Sequence, residues 1–228
     1  MNTPEFPGLA ERLATVRGSV EDAVRAAGRP PGEVTTIVVT KFHPVSVIEA
    51  LADLGVRDIG ENRHQEAQVK AAALVDRDLR WHFIGQLQGK KARQVRAYAD
   101  VIHAVDRDSL VAALASDDSQ VECFIQVNLT DDPARGGVAP AGLLRLVETV
   151  LVTPGLRLRG LMAVAPLDQA ARRAFAHVRE LGESVRTVAP EATSLSMGMS
   201  ADYIDAIAEG ATHLRIGSAI TGIRPVER

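Results

Sequence analysis

A chain of 228 residues, 46% of them hydrophobic, is long enough to bury one sizeable core, and a formal charge of −3 gives it no overall pull toward nucleic acid or an anionic bilayer. Aromatic residues make up only 4%, too few for a base-stacking platform, and no stretch approaches the ~18 uninterrupted apolar residues of a membrane span. The single cysteine, Cys123, rules out an intrachain disulfide, and the start of the chain shows no cationic region followed by an apolar core, so a cytoplasmic setting is expected.

The first element is an amphipathic helix over about residues 9–27, ended by the breaker Gly28-Arg29-Pro30-Pro31-Gly32. Strand-like runs follow near 35–40, 57–60, 81–85, 101–105, 121–128, 157–164, 193–197 and 213–217. Between them lie helix-like stretches at 44–54, 62–75, 88–98, 107–115, 140–152, 168–188 and 200–209. Strict alternation of this kind predicts one domain over 1–228, an α/β protein whose parallel sheet closes into a single-domain (β/α)8 TIM barrel with an extra N-terminal helix. No eighth helix is expected after Gly217, and the N-terminal helix is assigned to its gap. An open doubly wound sheet is the alternative; the short spacing and lack of a long linker favour closure. Cys123 falls inside the apolar run from Val121 to Val127, as a buried thiol would.

In such a barrel the functional residues gather at the C-terminal ends of the strands. The run Thr35-Thr36-Ile37-Val38-Val39-Thr40 reads as a buried strand, and Pro44 cannot sit within one, so Lys41 stands at its mouth. An amine held there, partly withdrawn from water, suits an aldehyde or carbonyl ligand; a lysine merely pointing into solvent is the plainer reading. The other strand ends are Gly60-Glu61-Asn62, Gly85-Gln86, Asp106, Asn128, Met162, Gly198-Met199-Ser200 and Arg215-Ile216-Gly217-Ser218. Barrels often seat phosphate on the loops after strands seven and eight. Here Ser200 is expected to cap the following helix beside the anion, Gly217 to let the backbone approach it, and Ser218 to add an amide and a hydroxyl.

Other patterns fail. Gly85-Gln86-Leu87-Gln88-Gly89-Lys90-Lys91 is one spacer short of a P-loop and lacks the Ser/Thr that follows it, and Gly198-Met199-Ser200-Ala201-Asp202 lacks the second glycine of a nucleophile elbow. The six histidines show no metal-ligand spacing; His82, His103 and His213 fall within strands and are expected as satisfied core or rim residues. Lys90, Lys91, Arg93 and Arg96 read as a solvated helix face.

Taken together, Val39-Thr40-Lys41 with Pro44, Gly60-Glu61-Asn62 with Gln65-Glu66, and Trp81-His82-Phe83-Ile84-Gly85 with Leu87-Gln88 form one series. It continues through Arg159-Gly160-Leu161-Met162-Ala163, Leu195-Ser196-Met197-Gly198-Met199-Ser200 and Arg215-Ile216-Gly217-Ser218. The series resembles the YggS/PROSC family of pyridoxal phosphate homeostasis proteins, in the same order from about residue 9 to 224. The resemblance implies a barrel like the N-terminal domain of alanine racemase, binding pyridoxal 5'-phosphate (PLP) as a Schiff base on Lys41. It also implies phosphate contacts at Ser200, Gly217 and Ser218, Arg215 facing the pyridine nitrogen, and Asn62 and Met162 lining the cofactor. Gln86, Lys90 and Thr221 depart from the residues common in that family, at positions away from the cofactor.

A lysine must be neutral to attack an aldehyde, and burial and a neighbouring cation would both favour that form. An arginine at the pyridine nitrogen accepts no proton, which weakens the electron sink on which amino-acid chemistry depends. The expected function is therefore PLP homeostasis without turnover, with PLP and PLP-dependent apo-enzymes as partners, no nucleic acid or membrane, and a monomer or weak dimer. A racemase is the alternative, but in alanine racemase the second base is a tyrosine from a C-terminal domain, which this sequence does not show. A Schiff-base aldolase is the third reading, with Asp106 as its acid or base.

Overall fold

A computed structural model describes residues 6–222 of the chain. Eight strands pair in parallel, each with the next, and the last closes on the first: β1 (Thr35–Val39), β2 (Asp58–Glu61), β3 (Arg80–Phe83), β4 (Val101–Val105), β5 (Val121–Gln126), β6 (Leu156–Met162), β7 (Ser194–Ser196) and β8 (His213–Ile216). Closure runs through Thr35 against His213 and Val38 against Ile216. The open-sheet alternative is thereby excluded.

The connecting helices are shorter than their sequence patterns suggest. They are α2 (Val45–Asp53), α3 (His64–Ala73), α4 (Ala92–Arg96), α5 (Asp108–Leu114), α6 (Leu143–Leu151), α7 (Ala171–Arg186) and α8 (Tyr203–Ala208). Short 3-10 turns at Gly89–Lys91 and Pro140–Gly142 take the first residues of two expected helices, and each contains a glycine, which disfavours the α conformation. The leading helix, α1 (Leu9–Ala26), buries Leu9, Leu13, Val16, Val20 and Val24, a stripe at helical spacing. It packs against α8 and against a single helical turn, α9 (Ser218–Thr221), that directly follows β8 where no helix was expected. Arg12 Nε donates to the Ile220 carbonyl (2.8 Å), and Tyr203 Oη donates to Ser19 Oγ (2.8 Å), which ties α1 to both.

Side chains alternate between two packed regions. Val38, Ile59, Phe83, Ile125 and Leu161 join the continuous layer under the helices, whereas Val101, Ala104, Phe124 and Met162 form a separate cluster inside the barrel. Ala104 joins that interior because the register of β4 on β5 shifts between Ile102 and Val105, breaking the two-residue alternation. At Gly160 (φ 148°) a Cβ would lie 1.8 Å from the Ser194 carbonyl oxygen, so β6 approaches β7 only with glycine there. Cys123 is buried as expected, and burial pushes its thiol up to about 12.

Candidate functional site

The residues singled out at the strand ends all lie toward one end of the barrel. Lys41 follows β1, and Gly217 follows β8, which pairs with β1. A Cβ at Gly217 would meet nothing nearer than Val39, at an ordinary 3.5 Å. The protein itself would therefore accept a side chain here, and glycine keeps the space above the strand ends open. Ser218 shares a cavity of about 810 Å³ with His43 and Pro44 from the loop carrying Lys41. Ser200 lines a second, of about 360 Å³, with Tyr203 and Ala219, and Arg12 borders both.

Two expectations need correction. Ser200 does not cap a helix: α8 begins at Tyr203, its N-cap residue is Asp202, and Asp202 Oδ1 accepts from the Met199 amide (2.6 Å). Asp202 reaches back three residues to that amide across a turn that precedes the helix, leaving Ser200 in the turn above the barrel end. Lys41 is exposed rather than withdrawn from water. Phe42 takes a left-handed backbone conformation (φ 68°), rare for an aromatic residue, and Lys41 Nζ lies 5.8 Å from the centre of the Phe42 ring. The strained turn bends the chain at the rim and leaves the amine in reach of solvent.

The peptide units on either side of Lys41 are clamped from beneath. Glu61, buried at the end of β2, accepts from Thr40 Oγ1 (2.7 Å) and from Lys70 Nζ (2.6 Å). Lys70 Nζ also donates to the Thr40 carbonyl (2.9 Å), and the Phe42 amide donates to Glu66 Oε2 (3.0 Å). Burial raises the Glu61 carboxyl above its ordinary range, against the opposing pull of Lys70 and Thr40. Burial also works on Glu66, but the Phe42 amide, Arg63 and Lys70 outweigh it and hold that carboxyl low. Sequence reading missed this clamp. Its signal is a lysine four residues after Glu66 on a helical face shared with Ala67 and Ala71.

Asn62 stands at the end of β2 with its Oδ1 buried and unpartnered among the described residues. Its backbone is pinned by Gly85, where a Cβ would fall 2.2 Å from the Asn62 carbonyl oxygen. Met162 is buried (2% exposed) in the interior cluster below the strand ends. Arg215 is buried (5% exposed): Nη1 donates to the Ser196 carbonyl (2.7 Å) and hydroxyl (2.8 Å), and Nη2 to the Ala163 carbonyl (2.9 Å). Its Nε–H and one Nη2–H remain uncommitted among the described residues. Burial lowers the guanidinium to about 10, partly offset by Asp202, so it stays charged at neutral pH.

Other candidates are engaged elsewhere. Asp106 pairs with Arg107 (2.5 Å) and accepts from the Gly137 amide (3.3 Å), and Asn128 closes a turn with Thr130. Arg96 is no solvated residue: its guanidinium holds the Leu114, Gly155 and Ser119 carbonyls together. Among the described residues no cluster of histidine, cysteine and carboxylate could hold a metal ion, and no helix is long and apolar enough to cross a membrane.

Residues 20–225 match the family described as alanine racemase, N-terminal domain. A Pseudomonas aeruginosa protein named pyridoxal phosphate homeostasis protein is 39% identical, covering 95% of this chain and 96% of its own length. One of the same name from Corynebacterium glutamicum is 36% identical, over 92% of this chain and all of its own. Among solved structures, PipY of Synechococcus elongatus, determined with PLP bound, superposes with a TM-score of 0.81 at 36% identity, covering 94% of this chain and 100% of that one.

Proposed function

The chain belongs to the family of pyridoxal phosphate homeostasis proteins, and from that premise we propose that it binds PLP covalently through Lys41 and holds it without turning over a substrate. The observation that carries this reading is the placement of Lys41 beside the open strand end at Gly217, with Ser218 facing the loop that carries the lysine. The residues suit the cofactor: a solvent-reached amine, a glycine that reserves space, and two serines with the loop amides after β7 and β8. PLP bound there would supply an aldehyde to the Lys41 amine, and these serines and amides would hold its phosphate.

The remaining roles follow from the side chains. Asn62 and Met162 line the cofactor ring from the β2 and β6 ends. Arg215 would offer its uncommitted N–H groups to the ring nitrogen. A guanidinium only donates, so a nitrogen held against it gains no proton and withdraws few electrons. That favours storage over amino-acid chemistry, and PLP-dependent apo-enzymes are the natural recipients. Asp106 is occupied by Arg107, which weakens the aldolase reading.

Borohydride reduction of the loaded, yellow protein should fix one label, on Lys41, and Lys41→Ala should lose colour and label while keeping its thermal midpoint. A full covalent load in that variant would refute the assignment. Ser200→Ala should retain the cofactor more weakly, and Ser200 would be no phosphate ligand if affinity were unchanged. Steady turnover of alanine by the wild-type protein would make it an enzyme instead.

A further inference from the structure

The inside of the barrel carries a polar file that the cofactor reading leaves unused. Asp58 begins β2 at the opposite end of the barrel from Lys41. Its Oδ1 lies 2.9 Å from His82 Nε2; His82 Nδ1 lies 2.9 Å from His103 Nε2; His103 Nδ1 lies 2.9 Å from Ser196 Oγ. Ser196 Oγ then receives Arg215 Nη1 at 2.8 Å. His82, His103 and Ser196 are essentially shut off from solvent (1%, 0% and 0% exposed), while the Asp58 side chain is 25% exposed. The ring of His103 stacks on Phe124 (4.5 Å between centres, 17° between planes), which fixes its orientation.

The two ends decide every donor in between. Arginine can only donate and a carboxylate can only accept. With Asp58 ionised, a neutral His82 must donate through Nε2 and accept at Nδ1. His103 therefore donates through Nε2 and accepts at Nδ1, and the Ser196 hydroxyl donates to that nitrogen while accepting from Arg215. Burial lowers the basicity of both imidazoles, and His82 lowers that of Asp58 against its own burial, so the required protonation states agree with their surroundings. Four hydrogen bonds point the same way, from the cofactor end to the far end.

We propose that Asp58, His82, His103 and Ser196 form a one-way hydrogen-bond line that positions Arg215 from the opposite end of the barrel, making Asp58 a remote positioning residue for the ring-nitrogen side of the cofactor site. The proposal rests on the reading above that Arg215 faces that nitrogen. A merely structural polar core would satisfy its own atoms and transmit nothing. A directed line polarises each successive bond, and its direction is set by the acceptor at its end.

The test is nitrogen NMR on histidine- and arginine-labelled protein, first without cofactor. Wild-type His82 and His103 should both be neutral with the proton on Nε2. Asp58→Leu removes the terminal acceptor, so both should move their proton to Nδ1 and the Arg215 Nε–H signal should shift. In the PLP-loaded protein the same variant should displace the absorption maximum and weaken cofactor retention about tenfold, the loss of one hydrogen bond's worth of order at Arg215. Ser196→Ala cuts the line, and adding Asp58→Leu to it should leave the Arg215 signal where Ser196→Ala alone puts it. Should Asp58→Leu not fold, Asp58→Val, which likewise offers no acceptor, carries the same readouts. A charged or Nδ1-protonated histidine in the wild type, or an Arg215 signal unmoved by a folded Asp58 variant, would overturn the line. If the wild-type chain fixed no cofactor at all, the reading of Arg215 would fall instead, and the histidine protons would still decide the line.

Discussion

Replacing Lys70 by methionine is the sharpest perturbation of the clamp beneath Lys41. The pair it breaks is buried on both sides, with 7% of the Lys70 side chain and 1% of that of Glu61 exposed, at 2.6 Å. Deleting one member of such a pair leaves an uncompensated charge and costs about 3–5 kcal/mol. Here it also strips the Thr40 carbonyl of its Lys70 hydrogen bond. The penalty must depend on pH. Burial already raises the Glu61 carboxyl with Lys70 present, and without the cation it rises further. A carboxyl raised above its unfolded value favours the fold below that unfolded value, and the advantage is lost as pH rises through the folded one. Urea unfolding of Lys70→Met should therefore show nearly the full loss at pH 7.5 and a much smaller one near pH 4.5, where Glu61 takes up a proton. The double variant Glu61→Gln/Lys70→Met, which removes the fully buried carboxylate as well, should recover part of the loss at pH 7.5. A single variant within about 1 kcal/mol of wild type, or a loss independent of pH, would show that the pair carries no such energy.

Gly85→Ala should lower stability by about 1–3 kcal/mol and weaken cofactor retention, because the new Cβ must displace the Asn62 carbonyl from 2.2 Å; an unchanged melt and spectral titration would contradict this. Between pH 6.5 and 4.5 the wild-type protein should lose stability as pH falls. Burial pushes His213 down to about 3 and lowers His82 and His103, so the unfolded chain takes up protons in that window that the fold refuses. His213→Gln should flatten that slope in urea melts at successive pH values, and an equal slope in both proteins would remove His213 as a contributor. Cys123 should resist alkylation in the native state and react on unfolding, since burial disfavours its thiolate; native labelling at the unfolded rate would refute this.

The barrel was legible because its determinants are local. β-branched runs such as Thr35–Val39 ended by turn residues mark strands, and the spacing between them leaves room for one helix each. Helix ends were less legible. A serine read as a cap became a turn residue because Asp202, two positions on, holds the Met199 amide. Lys41 was placed correctly along the chain, yet its exposure depends on the left-handed turn at Phe42, which no propensity predicts for an aromatic residue. The long-range partners were invisible for a plainer reason. His82 and His103 are 21 residues apart, and His103 and Ser196 are 93 apart. Only barrel closure brings these inward positions to one axis, and a histidine with no visible partner reads the same whether it ends a line or fills a gap.

The choice of lysine shows what the clamp contributes to function. The chain holds four: Lys41, Lys70, Lys90 and Lys91. Lys70 lies nearest Lys41 in chemistry and is unfit for the task. Its ammonium is committed to Glu61 and the Thr40 carbonyl, with Glu66 at 3.7 Å, and giving up a proton would strand two carboxylates in the clamp. Lys90 and Lys91 sit on a surface 3-10 turn after β3, whereas Lys41 follows β1, the strand paired with β8. Lys41 alone combines an amine reached by solvent with a backbone held on both sides. Preorganisation of this kind lowers the ordering cost of covalent capture. Lys41→Arg keeps the cation but cannot form the bond, so after borohydride reduction it should carry no label on any of the other three lysines. A reduced label mapped to Lys70, Lys90 or Lys91 in that variant would mean that accessibility, and not the clamp, selects the nucleophile.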